Sequence, residues 1–218
     1  MTGPLKIFSV KTLALAAVLA VSASGTARAE VTALDCFSPD MGRVVQGCTT
    51  LLEQPGLSNE DKASAYSRRA LALSLRGKYE ESVEDYDRSL NLVPNSAVAL
   101  NNRAWAYFRW GKPQQGLPDV EKSLRLSPFS PHALDTRAHI RQQLGQPGPA
   151  LQDYEMAMRF GGSRMIRMYQ CGLSEAGLYK GELNGEWTPD VSAALAKCVQ
   201  STTCDPLPAD EQCRPGTS

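Results

Sequence analysis

The sequence predicts an all-α fold: a superhelical array of antiparallel helix pairs, followed by a small disulfide-stapled helical module. Three observations carry this. Residues 63–164 overlay themselves at a spacing of 34, with Gly77, Gly111 and Gly145 in register and Arg69, Arg103 and Arg137 likewise. Each copy holds two apolar stripes at helical spacing on either side of its glycine. Beyond the copies the chain is glycine-punctuated and holds Cys171, Cys198, Cys204 and Cys213, too little chain to fold without a staple.

Before the copies, Lys6 and Lys11 precede an apolar run from Thr12 to Ala23, and Ala27-Arg28-Ala29 offers small residues for cleavage. The run is too short to span a membrane, so residues 1–29 are expected to be a removable export signal. The whole chain balances 23 cations against 23 anions. Loss of Lys6, Lys11 and Arg28 leaves 20 against 23, a formal −3. Such a balance argues against general nucleic-acid affinity, which needs a basic face. The expected location is the periplasm, with secretion as the alternative and no membrane insertion after cleavage.

All six cysteines follow the cleavage point, and an even count in an exported chain favours disulfides. Residues 30–62 form an N-terminal cap and linker. Met41 to Leu52 carries Val44, Val45, Cys48, Leu51 and Leu52 on one helical face, started at Ser38-Pro39-Asp40 and stopped by Pro55-Gly56. A Cys36–Cys48 bridge ties the incoming chain to this helix. Ser58 or Asn59 caps the next helix, with acids in its first turn.

Three repeats follow, 63–96, 97–130 and 131–164. Small residues stand where paired helices approach: Ala70 with Ser82, Ala104 with Gly116, Ala138 with Ala150. Pro113 and Pro147 sit at helix starts, where a missing N–H is tolerated. Pro118 then predicts a late start, at Gln114 or beyond, for the second helix of repeat two. Arg69–Asp85, Arg103–Asp119 and Arg137–Asp153 are each 16 apart across a hairpin. A pair that recurs with the structural period is read as an ion pair or cap between helices rather than a ligand surface.

The 34-residue period, the small residue after the first helix, the apolar second helix and the closing Pro94 and Pro128 resemble the tetratricopeptide repeat. That resemblance implies a groove lined by first-helix side chains: Ser67, Arg68 and Leu71; then Asn101, Asn102, Trp105 and Arg109; then Asp135, His139 and Gln142. Asparagine can donate and accept together, which suits an extended peptide, and Trp105 adds apolar area with a polar handle. The lysines of the family's carboxylate clamp are absent, with Ser67 and His132 in their places.

Residues 165–204 form the second module, and 205–218 a Pro-rich polar tail. Ser163 to Ala176 reads as a helix with Ile166, Met168 or Tyr169, and Leu173 inward. A loop follows from Gly177 to Gly185, and Thr188-Pro189-Asp190 starts a last helix to Val199. Gln170, Leu173, Ala176-Gly177-Leu178-Tyr179, Gly181, Leu183-Asn184-Gly185, Trp187, Pro189 and Ala194 resemble the small bacterial peptidoglycan-binding domain. Tyr179, Gly181, Asn184, Gly185 and Trp187 are the wall-facing residues this implies. Cys171 and Cys198, one on each helix, are expected to pair, leaving Cys204 with Cys213 by elimination.

No catalytic motif occurs. His132 and His139 lack a third metal ligand, and no phosphate loop or nucleophile motif is present. The expectation is a non-enzyme without cofactor or metal, holding a protein or peptide partner in its groove. The alternative is a peptidoglycan-binding protein with the repeats as spacer.

Overall fold

The computed structural model describes residues 32–207. The expected leader, residues 1–29, lies outside them, as do Cys213 and the tail beyond 207. A short 3-10 turn, Ala33–Phe37, precedes eight helices: α1 (Met41–Leu52), α2 (Asn59–Leu75), α3 (Tyr79–Leu92), α4 (Ala97–Arg109), α5 (Pro113–Leu126), α6 (Pro131–Gln143), α7 (Pro147–Glu175) and α8 (Pro189–Cys198). The described residues hold no strand. The pairs α2–α3, α4–α5 and α6–α7 are the three repeats.

Local chemistry sets these boundaries. Ser58, Ser96 and Ser130 each cap a first helix by accepting a backbone N–H with the side chain. Each first helix ends at a glycine with φ between 71° and 74°. At the first of them Gly77 N donates to Ser74 O and Lys78 N to Leu73 O, and Gly111 and Gly145 repeat the pattern. This paired closure needs the left-handed region, which only glycine enters without strain. The second helices start without a side-chain cap, and Pro113 and Pro147 open two of them.

α5 starts at Pro113, earlier than the sequence reading expected, so Pro118 lies inside the helix. The bond it forfeits is that to the carbonyl of Gln114, four residues back. Gln114 and Pro118 are both exposed, so water can serve that carbonyl.

The small residues meet as the repeat register requires. Ser82 Oγ donates to Ala70 O at 2.8 Å. A Cβ on Gly116 would stand 2.7 Å from Ala104 O, and Ala104, Ala138 and Ala150 are fully buried. Ala104→Leu is therefore expected to destabilise the chain by about 1–3 kcal/mol through overpacking. A urea melt is the check, and an unchanged midpoint would show that this helix contact is not close.

All three repeated ion pairs form. Arg69 reaches Asp85 at 2.6 and 2.9 Å, Arg103 reaches Asp119 at 2.7 and 2.8 Å, and Arg137 reaches Asp153 at 2.9 and 2.7 Å. Each joins the two helices of a pair by a forked, two-bond contact.

First helices touch each other, α2 with α4 and α4 with α6, whereas the second helices α3, α5 and α7 do not. The array therefore curves with its first helices inside, and their free stripes form the concave face. α7 runs through the third repeat into the next segment with a break at Gly162 (φ 65°, ψ −163°). Its second half, 163–175, and α8 share one continuous core with repeat three, including Ile140, Tyr154, Tyr169, Leu173 and Leu195.

Cys36 and Cys48 are bonded as expected. The Cys171–Cys198 pairing is corrected: Cys198 is bonded to Cys204, with their Cα atoms 5.3 Å apart. The chain turns back directly after α8, which brings Cys204 to the helix end and also rules out Cys204 with Cys213. Cys171 is disulfide-bonded too, so neither the 198–204 turn nor the second half of α7 is without a staple.

Candidate functional site

The concave face divides into a covered end and an open middle. At the covered end, Asp135, His139 and Gln142 of α6 were expected to line an accessible groove; instead all three are buried. The segment after α8 lies over them. Gln142 Nε2 donates towards Ser201 O at 2.6 Å and Cys204 O at 2.7 Å, with Cys198 O at 3.3 Å. Its Oε1 accepts from Tyr154 OH at 2.8 Å. His139 Nε2 meets Asp205 Oδ1 at 3.2 Å, and Nδ1 meets Asp135 O at 2.9 Å. Pro206 is buried, and Cys204 and Leu207 pack against the core.

Both ring nitrogens of His139 face oxygen acceptors, an arrangement that suits the doubly protonated ring. Burial disfavours that charge, but Asp135 and Asp205 outweigh it and hold His139 above its ordinary value. Asp205 is lowered: burial opposes this, and the hydrogen bond and charge of His139 prevail, helped by Arg109. Burial pushes Asp135 upward against His139 and the hydrogen bond from Tyr169 OH. Tyr154 and Tyr169 are raised by burial first and then by the charge of Asp135.

The open middle lies on α4. Trp105 is half-buried, its ring 5.3 Å from that of His139 and 5.0 Å from that of Phe108. Arg109 is exposed and stands over the Trp105 ring at 5.9 Å. Asn101 Nδ2 donates to Asn102 Oδ1 at 3.3 Å, while Asn101 Oδ1 is buried with no hydrogen-bond partner among the described residues. Tyr86 OH, on α3, is buried beside the Asn102 side chain. Towards the first repeat Leu71 is exposed, but Ser67 turns to Ser89 of α3 at 2.8 Å. Arg68 Nε donates to Cys36 O at 2.7 Å and its guanidinium lies over Phe37. The N-terminal turn thus engages Arg68, as the C-terminal segment engages His139.

The residues of the glycine-punctuated loop do not converge on one surface. Tyr179 is buried and donates to Glu182 O, and its ring lies over Gly181. Gln170, fully buried, holds the loop from beneath: its Oε1 accepts from Gly185 N at 2.8 Å, and its Nε2 donates to Glu186 O and Asn184 Oδ1. Gly185 has φ 78°, and a side chain there would strike Ser163. Asn184 and Gly185 therefore shape the loop. Trp187 is exposed and looks into a cleft of about 690 Å³, with Gln152, Glu155, Arg159 and Ile166 on its other walls.

Sequence reasoning missed Asp205 and Leu207, which sit in a stretch read as tail, and Tyr154, and it read Tyr169 only as one of two inward candidates without its bond to Asp135. Tyr169 carried a signal: it lies 34 residues after Asp135, the residue it bonds. Among the described residues no group of three or more His, Cys, Asp or Glu is placed to hold a metal. No described helix is long and apolar enough to cross a membrane.

No curated protein matches the chain. Among solved structures it is similar to the first TPR of Spaghetti (RPAP3) bound to the HSP90 peptide SRMEEVD, at 26% identity over 47% of this chain and 82% of that one, with a TM-score of 0.46. It is also similar to YrrB, a TPR protein with an unusual peptide-binding site, at 15% identity over 73% and 78%, with a TM-score of 0.48. Residues 61–128 match the family described as Tetratricopeptide repeat. The matched stretch spans α2 to α5, and the pair α6–α7 repeats the same cap, glycine turn and ion pair.

Proposed function

We propose that the chain is an exported, non-enzymatic interaction adaptor that holds a protein or peptide partner on its concave face near the cell wall. One observation carries the reading: the concave face already holds an irregular stretch of polypeptide. Gln142 takes the carbonyls of residues 201 and 204, and His139 takes a carboxylate. The next stripe, on α4, offers the same kinds of group without a resident. Asn101 and Asn102 are half-buried there, and their amides can both donate and accept. Trp105 and Arg109 stand beside them.

The test is a crosslinking pull-down from the native compartment, followed by affinity measurement with the captured partner. Replacing Asn101 and Asn102 together with alanine is expected to weaken binding by about 1–3 kcal/mol, with the melting temperature unchanged. Unaltered affinity would end the reading. A second reading, attachment to peptidoglycan through residues 163–207, is favoured by Trp187, an exposed aromatic ring at a cleft edged by Gln152, Glu155 and Arg159. Binding of purified sacculi by the full chain, lost on Trp187→Ala, would support it. Retention of sacculus binding without Trp187 would remove that support.

A further inference from the structure

The segment after α8 is held by groups that recognise a peptide rather than by packing alone. Its carbonyls at 201 and 204 go to one buried amide, that of Gln142. Its carboxylate, on Asp205, goes to a buried ring, that of His139, within the field of Arg109. Two residues on, Leu207 lies against the core, and its N–H returns to Asp205 Oδ1 at 2.9 Å. Yet Ser201, Thr202, Thr203 and Asp205 are exposed. The segment is thus clamped at a few points and solvated elsewhere, as a bound peptide is.

We infer that residues 201–207 act as a resident ligand of the third-repeat end of the groove, and that this end accepts partner segments of the same chemistry, an acid followed two residues later by an aliphatic side chain. The inference rests on the groove reading above and extends it. It names the chemistry of one subsite and the chain's own competitor for that subsite. The resident is tethered to α8 through Cys198–Cys204, so its local concentration is high. A free segment must compete with it, and its apparent affinity falls by the fraction of molecules in which the subsite is vacant.

Asp205 is 56% exposed, so Asp205→Ala opens no large cavity and removes the acceptor that His139 Nε2 and Leu207 N share. The experiment uses the full chain, wild type and Asp205→Ala, with a fluorescent peptide spanning Ser201 to Leu207 and serine in place of its cysteine. Hydrogen exchange over 202–207 is expected to quicken in the variant. The peptide is expected to bind the variant at least about tenfold more tightly than wild type, and a peptide with asparagine in place of aspartate to lose that gain. Unchanged exchange in the variant would overturn the inference, because Asp205 would then not hold the segment. Quickened exchange without tighter peptide binding would overturn it too, because the uncovered face would then not be a peptide subsite. If that happens while the native partner still depends on Asn101 and Asn102, the groove reading stands and only this extension fails.

Discussion

Asp153→Ala is expected to destabilise the chain by about 3–5 kcal/mol, the cost of leaving buried charge without its partner. Asp153 is fully buried and accepts two bonds from Arg137 and a third from Arg141 at 2.7 Å. Alanine leaves two guanidinium groups, each about a fifth exposed, facing one another where the carboxylate stood. Asp119→Ala is the internal comparison. Its partner Arg103 keeps a second carboxylate, Asp87, at 2.6 Å, so one charge pair survives. The loss there is expected to be clearly smaller. Urea denaturation of both variants, read at constant m-value, decides the matter. Equal losses within about 1 kcal/mol for both would mean that the pairs behave as exposed surface bridges.

The same pair shows how far the sequence could be read. Arg137 and Asp153 recur with the period, so their joining of α6 to α7 follows from spacing alone. Their burial does not, because it depends on what the flanking helices cover. The turns at Gly77, Gly111 and Gly145 and the contact of Ala104 with Gly116 were legible for one reason. Each is set within one hairpin and repeated in the next. The concave stripe was legible as a face but not as an accessible one. Asp135 and His139 lie where the period puts them, and Asp205, 66 residues beyond His139, covers them. Composition marked residues 205–218 as solvated tail, since proline and polar side chains carry no periodic signal of contact. The disulfide failed for a related reason: Cys198 faces both Cys171 and Cys204 in sequence terms, and only the turn after α8 selects between them.

Gln170 is the residue whose loss should reach furthest into the second cleft. It is fully buried between the second half of α7 and the loop, and it serves both sides of the amide at once. Gln170→Ala strands the Gly185 N–H in a buried position and removes the donor to Glu186 O at 3.0 Å. Each buried group left unpaired costs about 1–3 kcal/mol, and the vacated side-chain volume adds to it. The expected loss is about 2–4 kcal/mol, below that of Asp153→Ala because no charge is stranded. Gln170→Glu keeps an acceptor for Gly185 N but turns a second oxygen towards Glu186 O and Asn184 Oδ1 in a buried site, so at neutral pH it should lose at least as much as alanine. Hydrogen exchange gives the local readout. Amides 184–187 should quicken in both variants, while those of α4 and α5 stay protected. Trp187 follows Glu186 directly, so its placement at the cleft depends on this amide although the two side chains have separate tasks. Protection of 184–187 retained in Gln170→Ala would show that Gly185, through its positive φ and its close approach to Ser163, shapes the loop without help from beneath.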